Sequence, residues 1–220
     1  MARRFNGTSD YARINNPFYA FGTELSILFW TRNFNNEADQ GAITQATWGT
    51  DNMTTNVFLV SVTTNPWWTF YVNDNGTWRQ INFQISGTAW HHVACLISTA
   101  NIEVIIDGTS TGTGTGISTG IVNNSASALA IGTDARIPSR YAQVDLADIR
   151  IYNTRLTLAQ VKTNMYRKIF AESNLQEYYR LDESSVSYVK DYSGNGRHAT
   201  TISGTSIVPE PPVTELFNIL

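Results

Sequence analysis

Short apolar stretches, separated by turn residues, run through most of this chain and restrict it to folds built from strands. They occupy residues 24–34, 56–62, 67–73, 77–85, 90–98, 102–107, 128–132 and 147–152, and their length and spacing are typical of strands. Turn signals such as Asp74-Asn75-Gly76 and Asp107-Gly108 fall between them, since Asn and Gly adopt positive φ at little cost. The pattern predicts an all-β protein.

Two segments depart from this pattern. Residues 157–170 place Val161 and Met165 on one face, behind Thr157 as an N-cap, and predict a single short helix. We expect that helix to plug an end of the fold or to cover a sheet edge. The low-complexity tract 109–120 is predicted to form a loop or an exposed edge ribbon.

Composition and charge argue against several classes of partner. The formal charge is −3, and Lys and Arg are nowhere concentrated, which argues against a nucleic-acid partner. No apolar run approaches the ~18 residues of a membrane span, so no membrane insertion is expected. The first residues, MARRFNGTSDYARINN, lack the apolar segment of a signal peptide. Cys95 is the single cysteine, so no internal disulfide can form.

An ordered set of phrases resembles one protein family. The phrases are FNGTSDYARI (5–14), ELSILFW (24–30), WHHVACLI (90–97), IEVIIDG (102–108), LAIGTD (129–134) and VDLADIRIYNTRLTLAQV (144–161). Together they resemble the laminin-G-like members of the concanavalin A-like lectin/glucanase family. The resemblance implies a jelly-roll sandwich of two antiparallel sheets, with six or seven strands each. That family includes lectins, carbohydrate-binding modules, adhesion domains, pentraxins and some glycoside hydrolases, so the fold alone gives no function.

The C-terminal part of the chain reads like the beginning of such a domain. In many relatives a phrase like YRLDESSVSYVKDYSGNGRHAT (179–200) precedes the FNGTSDY-like phrase, whereas here it follows. Because the termini of a closed antiparallel sandwich are neighbours, we expect closing strands from 176–204 to lie beside the N-terminal strand. The predicted domain therefore spans 1–205, and 206–220 is predicted to be a Pro-rich arm. The arm's apolar end is predicted to dock on this protein or on a neighbour through Leu216, Phe217, Ile219 and Leu220.

The Asp/Asn/Gly cluster within this phrase has two interpretations. Asp191, Asn195 and Asp182 offer the hard oxygen ligands that Ca²⁺ prefers, and the family resemblance implies calcium because many members carry it. The spacing does not match a dedicated calcium loop, which favours a tight turn in which Asp191 accepts backbone amides. Both interpretations stay open at this point.

Four aromatic residues are candidates for glycan binding. Trp67 and Trp68 are adjacent, so on a strand they point to opposite faces and at most one enters the core. Tyr71 and Trp78 lie close by, among Asn and Thr residues. An exposed ring can stack on the CH face of a sugar while neighbouring amides bind its hydroxyls. The alternative is that these rings fill the sandwich or cover an edge.

Catalysis is not predicted, and no catalytic residue is assigned. Retaining glycosidases need two carboxylates at close range, and the Glu-x-Asp-x-x-Glu strand pattern of the related hydrolases is absent. Asp145 and Asp148 are three apart, so we expect them to face opposite sides of their strand.

Taken together, the sequence predicts a non-enzymatic recognition or structural module. A Thr/Asn-rich surface without disulfides or a secretion signal suits a phage virion accessory protein, as a capsid decoration or a tail-associated protein that reaches the outside by lysis. Its predicted partners are other virion proteins, through the arm, and glycans. The alternative is a free carbohydrate-binding lectin, with a glycoside hydrolase as a third interpretation.

Overall fold

The computed structural model describes residues 1–33, 40–52, 54–64, 66–168, 172–185, 187–199 and 201–212. Within these ranges the chain forms two sheets and one helix. The strands are β1 (Ala2–Asn6), β2 (Tyr11–Ile14), β3 (Leu25–Asn33), β4 (Gln40–Thr47), β5 (Phe58–Thr64), β6 (Trp67–Asp74), β7 (Thr77–Gln84), β8 (His91–Ile97), β9 (Asn101–Ile106), β10 (Thr109–Thr115), β11 (Ser127–Ile131), β12 (Gln143–Tyr152), β13 (Leu175–Tyr179), β14 (Thr201–Ser203) and β15 (Ser206–Val208), and the helix is α1 (Leu158–Met165).

The two antiparallel sheets face each other across a common core. The first sheet has the order β10-β9-β8-β3-β12-β1-β15, with β13 also paired to β12, and the second has the order β14-β2-β11-β4-β5-β6-β7. Alternate residues of facing strands meet between the sheets, among them Phe5, Phe29, Phe58, Trp68 and Phe70. The predicted all-β jelly-roll sandwich with one short helix is confirmed.

Both predicted hairpin turns are confirmed. Asp74 pairs with Thr77, which leaves a two-residue loop of Asn75 (φ 46°) and Gly76 (φ 98°). Asp107 and Gly108 (φ 51° and 75°) turn the chain between β9 and β10 in the same way. Two successive positive φ values match the right-handed twist of the flanking strands. Residues 109–115 of the low-complexity tract form β10 at the edge of the first sheet and residues 116–120 follow as a loop, so each alternative holds for part of the tract.

The helix is shorter than predicted and lies elsewhere than expected. Thr157 caps it by accepting a hydrogen bond from the Gln160 backbone, while the Gln160 side chain accepts one from the Thr157 N–H. The buried Val161 packs with Leu28 and Leu96, which point away from the core of the sandwich. The helix therefore covers the outer face of the first sheet, and the expectation that it plugs an end or covers an edge is wrong. Within the described ranges, no helix has the length and apolar character needed to cross a membrane.

The closing segment meets the N-terminal strands. β14 pairs with β2. β1 and β13 pair with the same edge of β12, β1 with its first half and β13 with its second half. β15 pairs with β1, so the sheet continues past the predicted boundary at residue 205. The predicted arm residues Leu216, Phe217, Ile219 and Leu220 lie outside the described residues.

A buried arginine fixes this junction. Arg3 on β1 has no exposed side-chain surface. Its guanidinium donates to the Thr205 hydroxyl (3.1 Å) and to the carbonyls of Ser185 (2.7 Å) and Tyr188 (2.5 Å). Because a buried guanidinium must have its donors satisfied, this network holds the closing segment against the first strand.

Candidate functional site

The outer face of the second sheet carries a depression whose floor is made by β5 and β6. Alternation along β5 sends Val60 and Val62 into the core, so the intervening Leu59, Ser61 and Thr63 face outward. On β6 the same alternation turns Tyr71 outward.

Trp78 of β7 completes the aromatic part of this surface. The β6–β7 register pairs Trp78 with Asn73, two residues along from Tyr71 and on the same face. The rings of Tyr71 and Trp78 lie with their centroids 5.9 Å apart at an interplanar angle of 73°. This edge-to-face contact fixes both rings at the side of the depression and leaves each ring partly exposed.

The opposite wall is the loop of residues 133–141, which is bonded to the outer face of β4. The buried Thr44 hydroxyl donates to the Thr133 carbonyl (3.0 Å) and accepts from the Ala135 N–H (2.8 Å). A Cβ atom on Gly41 would lie 2.5 Å from the Asp134 Cα, so only glycine lets the loop cross β4 this closely. The loop is therefore held rigidly beside Tyr71.

A charged group lies on this loop. Arg136 Nη2 donates to Asp134 Oδ2 at 2.8 Å, and Nη1 reaches Asp51 Oδ1 at 3.3 Å. Partial burial alone would lower the pKa of Arg136, but the hydrogen bond and charge of Asp134, with the charge of Asp51, hold it above its ordinary value. The guanidinium is thus a fixed, permanently charged donor at the rim.

Together these elements enclose a depression of about 220 Å³, lined by Leu59, Ser61, Thr63, Tyr71, Trp78, Asp134, Arg136 and Arg140. Ring surface, hydroxyl groups and guanidinium donors converge on one small volume. This combination suits a polar ligand that also has an apolar face.

The four predicted glycan-binding aromatics divide into three places. Tyr71 and Trp78 meet in the depression. Trp67 lies on the same outer face at the other end of β6 and is 45% exposed. Trp68 is fully buried between Phe29 and Phe83, with ring centroids 6.3 and 6.1 Å away. Trp68 is thus a core residue, and only Trp67 of the adjacent pair can meet a ligand.

The loop residues of the site were not predicted from the sequence. These residues are Asp134, Arg136 and Arg140. A signal was present, since two arginines within the segment TDARIPSRY, directly after a strand, are uncommon in a chain with few charges. The loop's position over β4 could not be foreseen, because β4 itself, QGAITQAT, has too few large apolar residues to stand out as a strand.

The predicted calcium residues are arranged around a turn. Asp191 Oδ1 accepts the N–H groups of Tyr178 (3.1 Å) and Ser193 (2.9 Å), and Oδ2 accepts that of Arg197 (2.9 Å). The side-chain amide of Asn195 donates to the carbonyl of Gln176 at 2.9 Å. Both side chains therefore stabilise the local backbone.

Asp182 belongs to a separate ion-pair cluster. Its Oδ2 lies 3.0 Å from Lys168 Nζ and 2.8 Å from Arg180 Nη2. Burial raises the pKa of Asp182, but these two cations outweigh it and hold the pKa below its ordinary value. No group of three or more His, Cys, Asp or Glu side chains that could hold a metal occurs in the described part of the chain. The oxygens of Asp191 are thus occupied by backbone amides and those of Asp182 by two cations.

The two β12 carboxylates lie on the same side of the strand. The β12–β3 register shifts between Ala147 and Arg150, and Asp148 has φ 55°. This bulge resets the alternation, so the expectation that Asp145 and Asp148 face opposite sides is wrong. Asp145 lies 2.8 Å from Arg4 and 2.5 Å from Arg32, and Asp148 lies 2.5 Å from Arg150. Both carboxylates are therefore held in ion pairs.

Residues 6–162 match the profile of the concanavalin A-like lectin/glucanases superfamily, in its Laminin_G_3 group. The chain belongs to this superfamily. The matched region runs from the end of β1 into α1 and includes every residue that lines the depression. A search of curated proteins found no match.

Solved structures of this superfamily's fold resemble the chain over most of its length. A proposed carbohydrate-binding protein from Bacteroides ovatus ATCC 8483 is 18% identical with a TM-score of 0.69, covering 97% of this chain and 62% of its own. The chain thus spans less than two thirds of that protein. A heptameric SAP-like pentraxin from Limulus polyphemus is 18% identical (TM-score 0.58; 74% and 80% covered).

A third similar structure contains a bound sugar. Domain 4 of AbnA, a GH43 extracellular arabinanase from Geobacillus stearothermophilus, was solved in complex with arabinotriose. It is 18% identical to this chain, with a TM-score of 0.54 and coverage of 74% and 75%. At these identities the likenesses establish a shared fold.

Proposed function

We propose that this protein is a non-enzymatic recognition module that binds a glycan in the depression between β5, β6 and the 133–141 loop. One observation carries the proposal: Tyr71 and Trp78 meet edge to face on an open sheet surface, directly beside hydroxyl and guanidinium groups. Membership of a lectin and glucanase superfamily supports it, as do two similar structures, one of a proposed carbohydrate-binding protein and one of an arabinanase domain in complex with arabinotriose.

Each wall of the depression would contact a different part of the sugar. The ring of Trp78 or Tyr71 offers a flat apolar surface to the CH groups of a pyranose or furanose. Ser61 and Thr63 can donate to, and accept from, sugar hydroxyls, and Arg136 adds charged N–H donors. Since Asp134 and Asp51 hold Arg136 in place, the site is formed before the ligand arrives, which lowers the entropic cost of binding.

The same geometry supports binding without hydrolysis. Of the eight residues that line the depression, Asp134 carries the single carboxylate, and both of its oxygens accept hydrogen bonds from Arg136. Glycoside hydrolysis uses two carboxylates, about 5–10 Å apart. A lone carboxylate that is sealed by a guanidinium cannot act as acid and nucleophile together.

Glycan-array screening followed by calorimetric titration of the best ligand tests the proposal. We expect Trp78→Ala and Tyr71→Ala each to weaken binding roughly tenfold, because each removes one side of the aromatic contact. Tyr188→Ala is the matched control, since Tyr188 is 41% exposed on the closing segment beside the first sheet. The proposal fails if no glycan binds, or if both site variants bind like the unaltered protein.

The virion assignment from the sequence stays a proposal of its own. A capsid-decoration or tail-associated protein and a free lectin would both use this depression to contact glycans. Mass spectrometry of purified phage particles, together with the neighbouring genes, separates the two. Absence from particles and the lack of adjacent capsid or tail genes would favour the free lectin.

A further inference from the structure

Arg140 is the part of the depression that neutral-sugar binding leaves unexplained. Its backbone is held firmly: the carbonyl accepts from the N–H groups of Gly41 (3.3 Å) and Asp134 (3.2 Å), and its own N–H donates to the Ile137 carbonyl (2.9 Å). Its half-buried side chain lines the depression. Within the described ranges, its guanidinium makes no hydrogen bond, ion pair or cation–π contact.

The two described carboxylates at this end of the depression pair with Arg136. The Asp134 side chain is only 2% exposed and lies beneath Arg136, which donates to it from Nε and Nη2. Asp51 approaches the same guanidinium from the solvent side, where its side chain is 53% exposed. Two carboxylates thus serve Arg136, whereas Arg140 makes no ion pair with a described residue and can present its charge to a ligand.

We propose that the depression selects glycans that carry an anionic group, either the carboxylate of an acidic sugar or a sulfate ester, and that Arg140 binds that group. This inference rests on the glycan-binding function proposed above and names its ligand class. A guanidinium presents a planar fork of N–H donors that matches two oxygens of a carboxylate or sulfate. The aromatic wall made by Tyr71 and Trp78 would at the same time contact the ring that bears the anion.

Paired ligands test the inference. A uronic-acid-containing oligosaccharide and a sulfated oligosaccharide are titrated beside their neutral counterparts of equal length. We expect the unaltered protein to bind at least one anionic ligand roughly tenfold or more tightly than its neutral partner. Which of the two shows the preference separates the carboxylate from the sulfate. That preference should shrink as the salt concentration rises.

Arg140→Gln should remove the preference by weakening the binding of the anionic ligand much more than that of its neutral partner, and Arg140→Lys should keep part of the preference. Neither variant should change the melting temperature, because the loop is held by the backbone of residue 140 and not by its side chain. Arg167→Gln is the matched control: it makes the same change in charge at an exposed arginine beyond α1, over the first sheet.

Three results would overturn the inference: equal affinity for neutral and anionic ligands, an Arg140→Gln protein that retains the preference, or an equal loss in Arg167→Gln. The first two leave the proposed function standing if Trp78→Ala still weakens binding. Loss of anionic binding in Arg140→Gln without any loss in Trp78→Ala or Tyr71→Ala would instead indicate an anion site without a sugar, and would overturn both proposals.

Discussion

Asp74 holds together the end of the sandwich at which the β6–β7 hairpin turns. Its Oδ2 accepts from the N–H (2.8 Å) and hydroxyl (2.7 Å) of Ser118 and from Arg79 (2.7 Å). Its Oδ1 accepts from the N–H (2.8 Å) and hydroxyl (2.7 Å) of Thr119 and from the N–H of Gly120 (3.0 Å). One carboxylate thus joins the hairpin to the loop that follows β10.

Replacing Asp74 with Asn keeps the shape but turns one acceptor oxygen into a donor. Replacement of Oδ1 removes the acceptor of three hydrogen bonds and replacement of Oδ2 that of four, and in either case N–H donors face each other. With about 1 kcal/mol per net hydrogen bond, and more where a charge is involved, Asp74→Asn should lower the free energy of unfolding by roughly 3–5 kcal/mol. At about 2–4 °C per kcal/mol for a domain of this size, the melting temperature should fall by roughly 10 °C.

The effect should depend on pH in a definite direction. Burial raises the pKa of Asp74, but the hydrogen bonds from Ser118 and Thr119 outweigh it and hold the pKa well below the ordinary 3.8. A carboxylate with a depressed pKa in the folded state contributes stability above its unfolded pKa and loses it as the pH falls. The difference between Asp74→Asn and the unaltered protein should therefore shrink below pH 3.8.

Thermal and urea unfolding at pH 7 and near pH 3 provide the measurement. Asp51→Asn is the control, because Asp51 is 53% exposed and makes one long ion pair, so its loss should cost well under 1 kcal/mol. A melting temperature within about 2 °C of the unaltered protein at pH 7 would refute the reasoning, as would a difference that stays constant down to the acid range.

Three further changes test other parts of the structure. Burial raises the pKa of Glu177 from 4.5 to about 7, so its contribution to stability falls as the pH rises through this interval. In urea titrations, Glu177→Gln should reduce the fall in the free energy of unfolding between these pH values by up to roughly 3 kcal/mol. An unchanged pH dependence contradicts this. Gly41→Ala should displace the 133–141 loop and weaken glycan binding in calorimetry, and normal affinity would contradict the role of that close approach. EDTA should leave the melting temperature unchanged, since Asp191 already accepts hydrogen bonds from three backbone amides. A melting temperature that rises when calcium is added would instead support a calcium site.

Much of the site's aromatic content could be anticipated from the sequence, but its polar wall could not. Tyr71 and Trp78 stand out because aromatic rings among Asn and Thr on a strand are a recognisable local pattern. Arg140 belongs to a loop whose partner, β4, is more than ninety residues earlier in the chain. Local pattern reports on neighbours along a strand, and it carries no information about which distant loop will cover that strand.

By itself, the sequence determined the all-β class, most of the long strands and the two hairpins. Alternation and turn chemistry depend on neighbours along the chain, so Asn75-Gly76 can be read directly as a hairpin. Alternation also required that Trp67 and Trp68 face opposite ways, but packing against Phe29 decided that Trp68 is the buried one. Tertiary structure likewise decided the bulge at Asp148 and placed Arg140 in the lining of the depression, because those outcomes depend on which groups meet across the fold.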